Sequence, residues 1–336
     1  MDKLKIGVVG LGHGETLIGA NSSNLPLEVS SLCDINEDLV ESTMAKHGIA
    51  KGTSNYEEFV SDPDIDIVGI YTPGPLHCNQ IIQALDNGKH VMVTKSMVYT
   101  LEEAEKVIKA VEKSGKVLLV TQTMRGRFDF MEAKRACKSG AIGELFMAEA
   151  HYVHDLRPVY ARSPWRVDMP QDLLLGGACH PIDLLRWFMG DIDEVHCYGL
   201  KSGISKDYPK EDTFVINTKF VGGKIGRIAN YLGVIHPDGV PMNSLSVYGT
   251  KGTIIDNKLT LDGDEWLPSM SKTTRFPPGS GHFGEMLVML QHMADCVIEG
   301  AKPWVGAKEG ARVVSTALSC WESMKINNSV KVRNEF

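Results

Sequence analysis

The segment Gly10-Leu11-Gly12-His13-Gly14 follows a short apolar run at residues 5–9. Glycines at the end of a first strand let main-chain amides approach a diphosphate at a helix N-terminus. Gly10 and Gly12 fill the first two positions of a G-x-G-x-x-G turn, and Glu15 stands at the third. A carboxylate there is compatible with a diphosphate only if it points away. Gly14 then takes over part of the missing glycine's role, and the Thr16 hydroxyl can bond a phosphate. Asp34 ends the next apolar run, residues 27–33, about 20 residues beyond the turn, where a carboxylate accepts bonds from adenosine ribose hydroxyls. Ile35 and Asn36 follow it, with no adjacent arginine to neutralise a 2′-phosphate, which points to NAD rather than NADP. The plainer readings are a tight turn at the glycines and a turn cap at Asp34.

Beside such a cofactor, oxidising an alcohol requires a group to orient the hydroxyl and a base to take its proton. Lys95 lies just past a strand end, where open α/β sheets bind their ligands, and can hold an oxygen and stabilise alkoxide charge. The imidazole of His180 titrates near neutral pH and suits proton transfer. The preferred assignment makes His180 the base and Lys95 the polarising group; the reverse stays open. Asp183, one helical turn on, or Asp172, upstream, could orient His180, and Asp183 suits a structural role equally well.

Other polar residues are weaker candidates for the substrate side. Tyr152 and His154 could face a pocket with Arg157 and Arg162, and Arg125 and Arg127 could reach a polar substrate. Trp165 and Arg166 could cover the nicotinamide or substrate, or simply pack between domains. His282 sits in a Gly/Pro-rich stretch, residues 276–284, that reads as an exposed loop. His151 and Asp155 share a strand face by period two while His154 points the other way. That H-x-x-H spacing makes no metal pair, so no metal is expected.

These groups need elements to place them. In the first third of the chain, apolar runs at residues 5–9, 27–33, 65–71, 90–93 and 117–121 alternate with helical stretches at 37–47, 76–87 and 101–114. Asn36 is a helix cap, and Thr100 with Glu103 forms a capping box. The alternation predicts a parallel, doubly wound sheet. Beyond residue 122 a helix at 130–138 precedes strands at 145–154, 194–200, 213–220, 224–231 and 245–248, and a last long helix covers 310–326. Val221-Gly222-Gly223-Lys224 reads as a hairpin turn. The expectation is a Rossmann domain at 1–122 and an α+β domain at 123–336 with a large, mostly antiparallel open sheet, its last helix packing back on the first domain. An open sheet face calls for cover, so a homodimer or homotetramer through it is expected.

The bulk composition is consistent with this. The chain has 336 residues, 43% hydrophobic and 23% charged, with a net charge of −7. An acidic balance disfavours nucleic acid and anionic membranes as partners. Seven cysteines without a C-x-x-C pair argue against a disulfide framework or zinc ribbon and for reduced thiols in the cytoplasm. No signal-peptide pattern or membrane-length apolar run is present in the sequence.

Six ordered segments resemble the glucose–fructose oxidoreductase / myo-inositol dehydrogenase family (Gfo/Idh/MocA). They are Tyr71-Thr72-Pro73-Gly74-Pro75-Leu76-His77, similar to T-P-x-x-x-H; Ala84-Leu85-Asp86-Asn87-Gly88-Lys89-His90-Val91; Gly140-Ala141-Ile142-Gly143-Glu144; Trp165-Arg166; Gly176-Gly177 with His180-Pro181-Ile182-Asp183; and Tyr248-Gly249-Thr250-Lys251-Gly252. The resemblance implies hydride transfer between nicotinamide and a hydroxyl carbon of a sugar, glycoside or cyclitol, on a Rossmann domain followed by an open-sheet domain that often forms the oligomer interface. It implies catalytic roles for Lys95 and His180. It adds His13, Ile35, Thr72, Pro73, His77, Thr94, Lys95, Gln122 and Trp165 to Gly10, Gly12, Gly14 and Asp34 as cofactor contacts, and Asp183, Arg125, Tyr152, His154, Arg157 and Arg166 as substrate contacts. Three positions depart from the family: Thr94-Lys95-Ser96 for Glu-Lys-Pro, Gly176 where an Asp is frequent, and Glu15. Two alternatives follow from the same residues: an NAD-retaining enzyme that cleaves glycosides by transient oxidation and elimination, and a non-catalytic NAD-binding ligand sensor.

Overall fold

The computed structural model describes residues 3–169, 171–263, 272–279 and 281–336. The chain divides into two compact units. The first comprises residues 1–126, 280–314 and 336, and the second residues 127–279 and 315–335. A single cut after residue 122 therefore does not describe the units, because the chain returns to the first one.

In unit one, β1 (Leu4–Val9), α1 (Leu11–Gly14), β2 (Leu27–Cys33), α2 (Glu37–His47), β3 (Lys51–Thr53), α3 (Tyr56–Ser61), β4 (Ile67–Ile70), α4 (His77–Asp86), β5 (His90–Thr94), α5 (Leu101–Ser114) and β6 (Leu118–Thr121) alternate. The six strands form one sheet in the order β3-β2-β1-β4-β5-β6, with every pair parallel. This is the Rossmann order, whose ligand crevice lies at the carboxyl ends of the strands. Ile67–Ile70 is buried at every position, as expected of a parallel strand covered on both faces. The Asn36 side chain accepts the Leu39 N–H, and the Thr100–Glu103 capping box is complete.

Unit two begins with α6 (Phe128–Lys138) and β7 (Leu145–Val153), followed by the short helices α7 (Arg157–Arg162) and α8 (Trp165–Asp168) and then α9 (Cys179–Met189). Strands β8 (Ile192–Leu200), β9 (Thr213–Phe220), β10 (Ile225–Tyr231), β11 (Asn243–Gly249), β12 (Gly252–Ile255), β13 (Lys258–Leu261), β14 (Lys272–Arg275) and β15 (Val330–Lys331) complete it. Its sheet runs β14-β13-β12-β11-β7-β10-β9-β8-β15, antiparallel except for β10 with β7. One face is closed: Ala148, Ala150, Ile216, Ile228, Leu245 and Val247 are all buried. The opposite face carries the exposed apolar side chains Tyr198, Leu200, Ile225 and Ile255.

Two further helices follow, α10 (Gly281–Ile298) and α11 (Ala307–Ile326). Helix α10 and the start of α11 belong to unit one, the remainder of α11 to unit two. Helix α10 begins inside the stretch that reads as a loop, so His282 lies in its first turn. In the second unit, Trp321 of α11 meets Phe214 edge to face at 5.8 Å, and Ser323 Oγ accepts the Cys197 N–H.

Candidate functional site

The glycine turn is shaped by what it touches. Gly10 has φ 86°, and a Cβ there would lie 2.6 Å from the Tyr71 main chain, so only glycine fits both conformation and space. At Gly12 a Cβ would meet nothing within 4 Å: the turn is open where a diphosphate would lie. A Cβ at Gly14 would meet Val8 Cγ1 at 2.7 Å and Tyr71 Cβ at 3.1 Å. Gly14 thus supplies the close helix–strand approach for which the third fingerprint glycine is used.

Glu15 is left with a different task. Its carboxylate takes the Lys46 ammonium at 2.8 Å and lies 2.6 Å from His47 Nε2, at the C-terminus of α2. The hydrogen bonds from His47 and Lys46 hold it below the usual glutamate range. These three side chains line an open cleft together with Gly12 and His13. Thr16 does not fit the phosphate role suggested by its position. Its hydroxyl proton goes to the His13 carbonyl at 2.9 Å, and a phosphate offers only acceptors.

Asp34 ties the turn to the second strand. Oδ2 accepts the Leu11 N–H at 2.8 Å and Oδ1 the Asn36 N–H at 3.0 Å. Each carboxylate oxygen has a further lone pair for a ribose hydroxyl. The cap and the ribose contact are therefore compatible. Ile35 beside it is 95% exposed, an open apolar surface for an adenine ring. Open space at Gly12 and a half-buried carboxylate at Asp34 fit a dinucleotide.

The remaining unit-one candidates sort by exposure. His13 is exposed and stacks on His282 at 5.3 Å, so α10 brings a second imidazole to the turn. Thr94 and Lys95 stand half-buried at the carboxyl end of β5, and Thr72 and Pro73 at that of β4. The Lys95–Ser96 peptide is cis. Gln122 is 2% exposed, and its Oε1 has no hydrogen-bond partner among the described residues. Two expectations change. His77 is 1% exposed, and its ring nitrogens face main-chain carbonyls, not solvent: Nδ1 lies 2.8 Å from Ser96 O and Nε2 2.9 Å from Thr72 O. Arg125 is also buried, and its Nη1 donates to the Trp304 carbonyl at 2.9 Å, which ties its guanidinium to the interior of unit one rather than to a substrate.

In unit two, His180 lies in the first turn of α9, directly after a one-turn π-helix at Leu174–Ala178. Its ring meets Tyr152 of β7 edge to face at 5.3 Å, and Tyr152 in turn stacks on His154 at 6.1 Å. Burial pushes the Tyr152 phenol up to about 12. Asn230 of β10 and Asn243 of β11 pair with Tyr152 across the sheet. These amides flank the His180 side, a feature that no local sequence pattern announces.

The acidic candidates separate. Asp172 is committed elsewhere: Oδ1 caps the Leu174 and Leu175 N–H groups and Oδ2 accepts Trp321 Nε1 at 2.7 Å. Asp183, 1% exposed, shares the face of α9 with His180 at i+3. At Gly176 a Cβ would meet Gln171 Cδ at 2.7 Å, so Gln171 fills the space an aspartate there would need. Gln171 Oε1 accepts Arg166 Nη1 at 2.7 Å, and the Arg166 guanidinium lies over the Trp165 ring at 4.5 Å. Arg157 is held by the Asp155 carboxylate through paired hydrogen bonds, which leaves less of its fork for a substrate.

Residues 4–122 match the oxidoreductase family with an NAD-binding Rossmann fold, and residues 130–255 match the GFO/IDH/MocA C-terminal domain. The chain belongs to the GFO/IDH/MocA oxidoreductase family. Among curated GFO/IDH/MocA relatives, a 1,5-anhydro-D-fructose reductase of Ensifer adhaerens is 25% identical over 300 residues, 87% of each chain. A myo-inositol 2-dehydrogenase of Thermotoga maritima is 25% identical over 261 residues, 75% of this chain and 74% of the relative. A levoglucosan dehydrogenase solved with NADH and levoglucosan superposes with a TM-score of 0.87 at 20% identity, over 99% of this chain and 100% of the other. Unit one therefore contains the NAD-binding Rossmann domain of a GFO/IDH/MocA oxidoreductase.

Proposed function

We propose that the chain transfers a hydride between nicotinamide and a hydroxyl carbon of a sugar, glycoside or cyclitol. Bound NAD supplies the hydride acceptor or donor. The protein's own contribution divides between two groups. The Lys95 ammonium, at the carboxyl end of β5, holds the substrate oxygen and stabilises the charge that builds on it as its proton leaves. His180 Nε2 takes that proton on oxidation and returns it on reduction. Tyr152 stays neutral at assay pH because burial raises its phenol, so it orients the imidazole and donates rather than abstracts.

Two observations, each within its own unit, support this reading: Lys95 stands half-buried at the carboxyl end of β5 on the NAD-binding domain, and His180 of the second unit is set edge to face on Tyr152. Relatives acting on inositol and an anhydro-sugar support the substrate class. The exposed apolar row Tyr198, Leu200, Ile225 and Ile255 supports assembly as a homo-oligomer through the open sheet face.

The test is a panel of free sugars, inositols and glycosides followed at the nicotinamide absorbance with NAD and NADP in parallel. NADH formation from a polyol, with NAD preferred, is expected. Glycoside cleavage at constant NADH, NADP preference, or cofactor binding without turnover would each overturn the proposal.

A further inference from the structure

Two segments border the cofactor edge of unit one beyond the glycine turn: Thr72–Pro73, after β4, and Lys95–Ser96, after β5. Both strands are neighbours in the sheet. The His77 ring lies between the two segments, with Nδ1 2.8 Å from Ser96 O and Nε2 2.9 Å from Thr72 O. An imidazole donates from one nitrogen when neutral and from both only when charged. Burial lowers the His77 pKa, while the Thr72, Ser96 and Met97 main chain opposes that shift. The ring at 1% exposure is thus neutral at neutral pH, with one proton to place between two carbonyls.

The Thr72 segment is already anchored. Its hydroxyl bonds Gln80 Oε1, the Tyr71 N–H donates to Val9 O at 2.8 Å, and the Leu76 N–H donates to Pro73 O at 3.0 Å. A proton on Nε2 would add little there. A proton on Nδ1 fixes the Ser96–Met97 peptide, one residue beyond Lys95, and so steadies the backbone from which the lysine side chain leaves the strand end.

We propose that His77 is a positioning residue for Lys95, acting through an Nδ1–H bond to the Ser96 carbonyl. The inference rests on the reading of Lys95 as the oxygen-holding group. It assigns His77 no contact with cofactor or substrate.

The two amide side chains separate the bonds. An asparagine amide places its N–H near the Nδ1 position, and a glutamine amide near Nε2. His77→Gln is expected to lower kcat by about 10-fold or more, the loss of one hydrogen bond at a positioned group. His77→Asn is expected to stay within about 3-fold of wild type, and both should bind NADH with near-normal affinity. Equal behaviour of the two variants, or a loss confined to NADH affinity, overturns the proposal. Histidine ring-nitrogen NMR on the unsubstituted chain gives a readout independent of folding and turnover: the Nδ1-protonated tautomer is expected at His77, and the Nε2-protonated tautomer contradicts it. Lys95→Met in the same assay isolates the underlying reading. If that variant keeps full activity, the role of Lys95 fails whatever the tautomer.

Discussion

The Asp34 carboxylate accepts the Leu11 main-chain N–H at 2.8 Å, so one side chain both shapes the glycine turn and faces outward from it. Asp34→Asn keeps an acceptor for Leu11 but removes the negative charge that favours ribose hydroxyl donors. NADH affinity, measured by fluorescence titration, should fall about 10-fold, in line with a charge-assisted hydrogen bond. Asp34→Ala loses the turn anchor as well and should fall further. Unchanged affinity in both variants would remove Asp34 from the cofactor site.

Two glycines of the same turn should respond in opposite ways. Gly14→Ala drives a Cβ against Val8 and Tyr71, and overpacking of that kind costs about 1–3 kcal/mol, visible in urea unfolding. Gly12→Ala meets no neighbour and should unfold as wild type while binding NADH more weakly, because the new methyl occupies space open to the diphosphate.

Glu15 explains how a carboxylate is tolerated at the third fingerprint position. The Lys46 ammonium neutralises it on the side of α2, where His47 Nε2 also lies 2.6 Å from the carboxylate. The double variant Lys46→Ala, His47→Ala should weaken NADH binding, and adding Glu15→Gln should restore it; additive effects in that cycle would contradict the coupling. The pH dependence follows from the lowered pKa. Stability from Glu15 is complete above the ordinary glutamate value near 4.5 and is lost as pH falls through its lower folded value. The pair is exposed enough that its contribution stays below about 1 kcal/mol.

Local signals made much of this fold legible. Asn36 and the Thr100–Glu103 box fix two helix starts, and β2 and β9 end where their apolar patterns end. Helix α10 did not show, because the Gly/Pro-rich run at 276–284 hides its start. Its body also buries residues at many successive positions, Glu285, Met286, Met289, Leu290, His292, Met293, Ala294 and Cys296, which blurs a helical period. The short strands β12 to β14 carry too few residues for an alternating pattern to stand out. In the site, Gly14 was readable from its place in the turn. The Glu15–Lys46–His47 cluster and the Tyr152–Asn230–Asn243 row depend on tertiary pairing between distant segments, which no local pattern encodes.

Asp172 and Tyr152 divide structure from chemistry in the second unit. Asp172→Ala removes a cap and the Trp321 partner, and should destabilise by about 2–3 kcal/mol in thermal or urea unfolding while the surviving folded enzyme keeps its kcat. Tyr152→Phe should lower kcat/KM without moving the limbs of its pH profile, since the phenol ionises only near 12. A shifted limb would mean that the phenol itself titrates in the reaction.

The proposed hydride transfer depends on assistance from Lys95 and His180. The direct measurement is single-turnover nicotinamide absorbance for the Lys95→Met, His180→Ala double variant, using whichever polyol the wild type oxidises, with NADH affinity measured in parallel. The expected result is near-normal NADH binding with oxidation slowed by about 1,000-fold or more, the scale of lost acid–base and electrostatic assistance. Wild-type turnover in the double variant would contradict it.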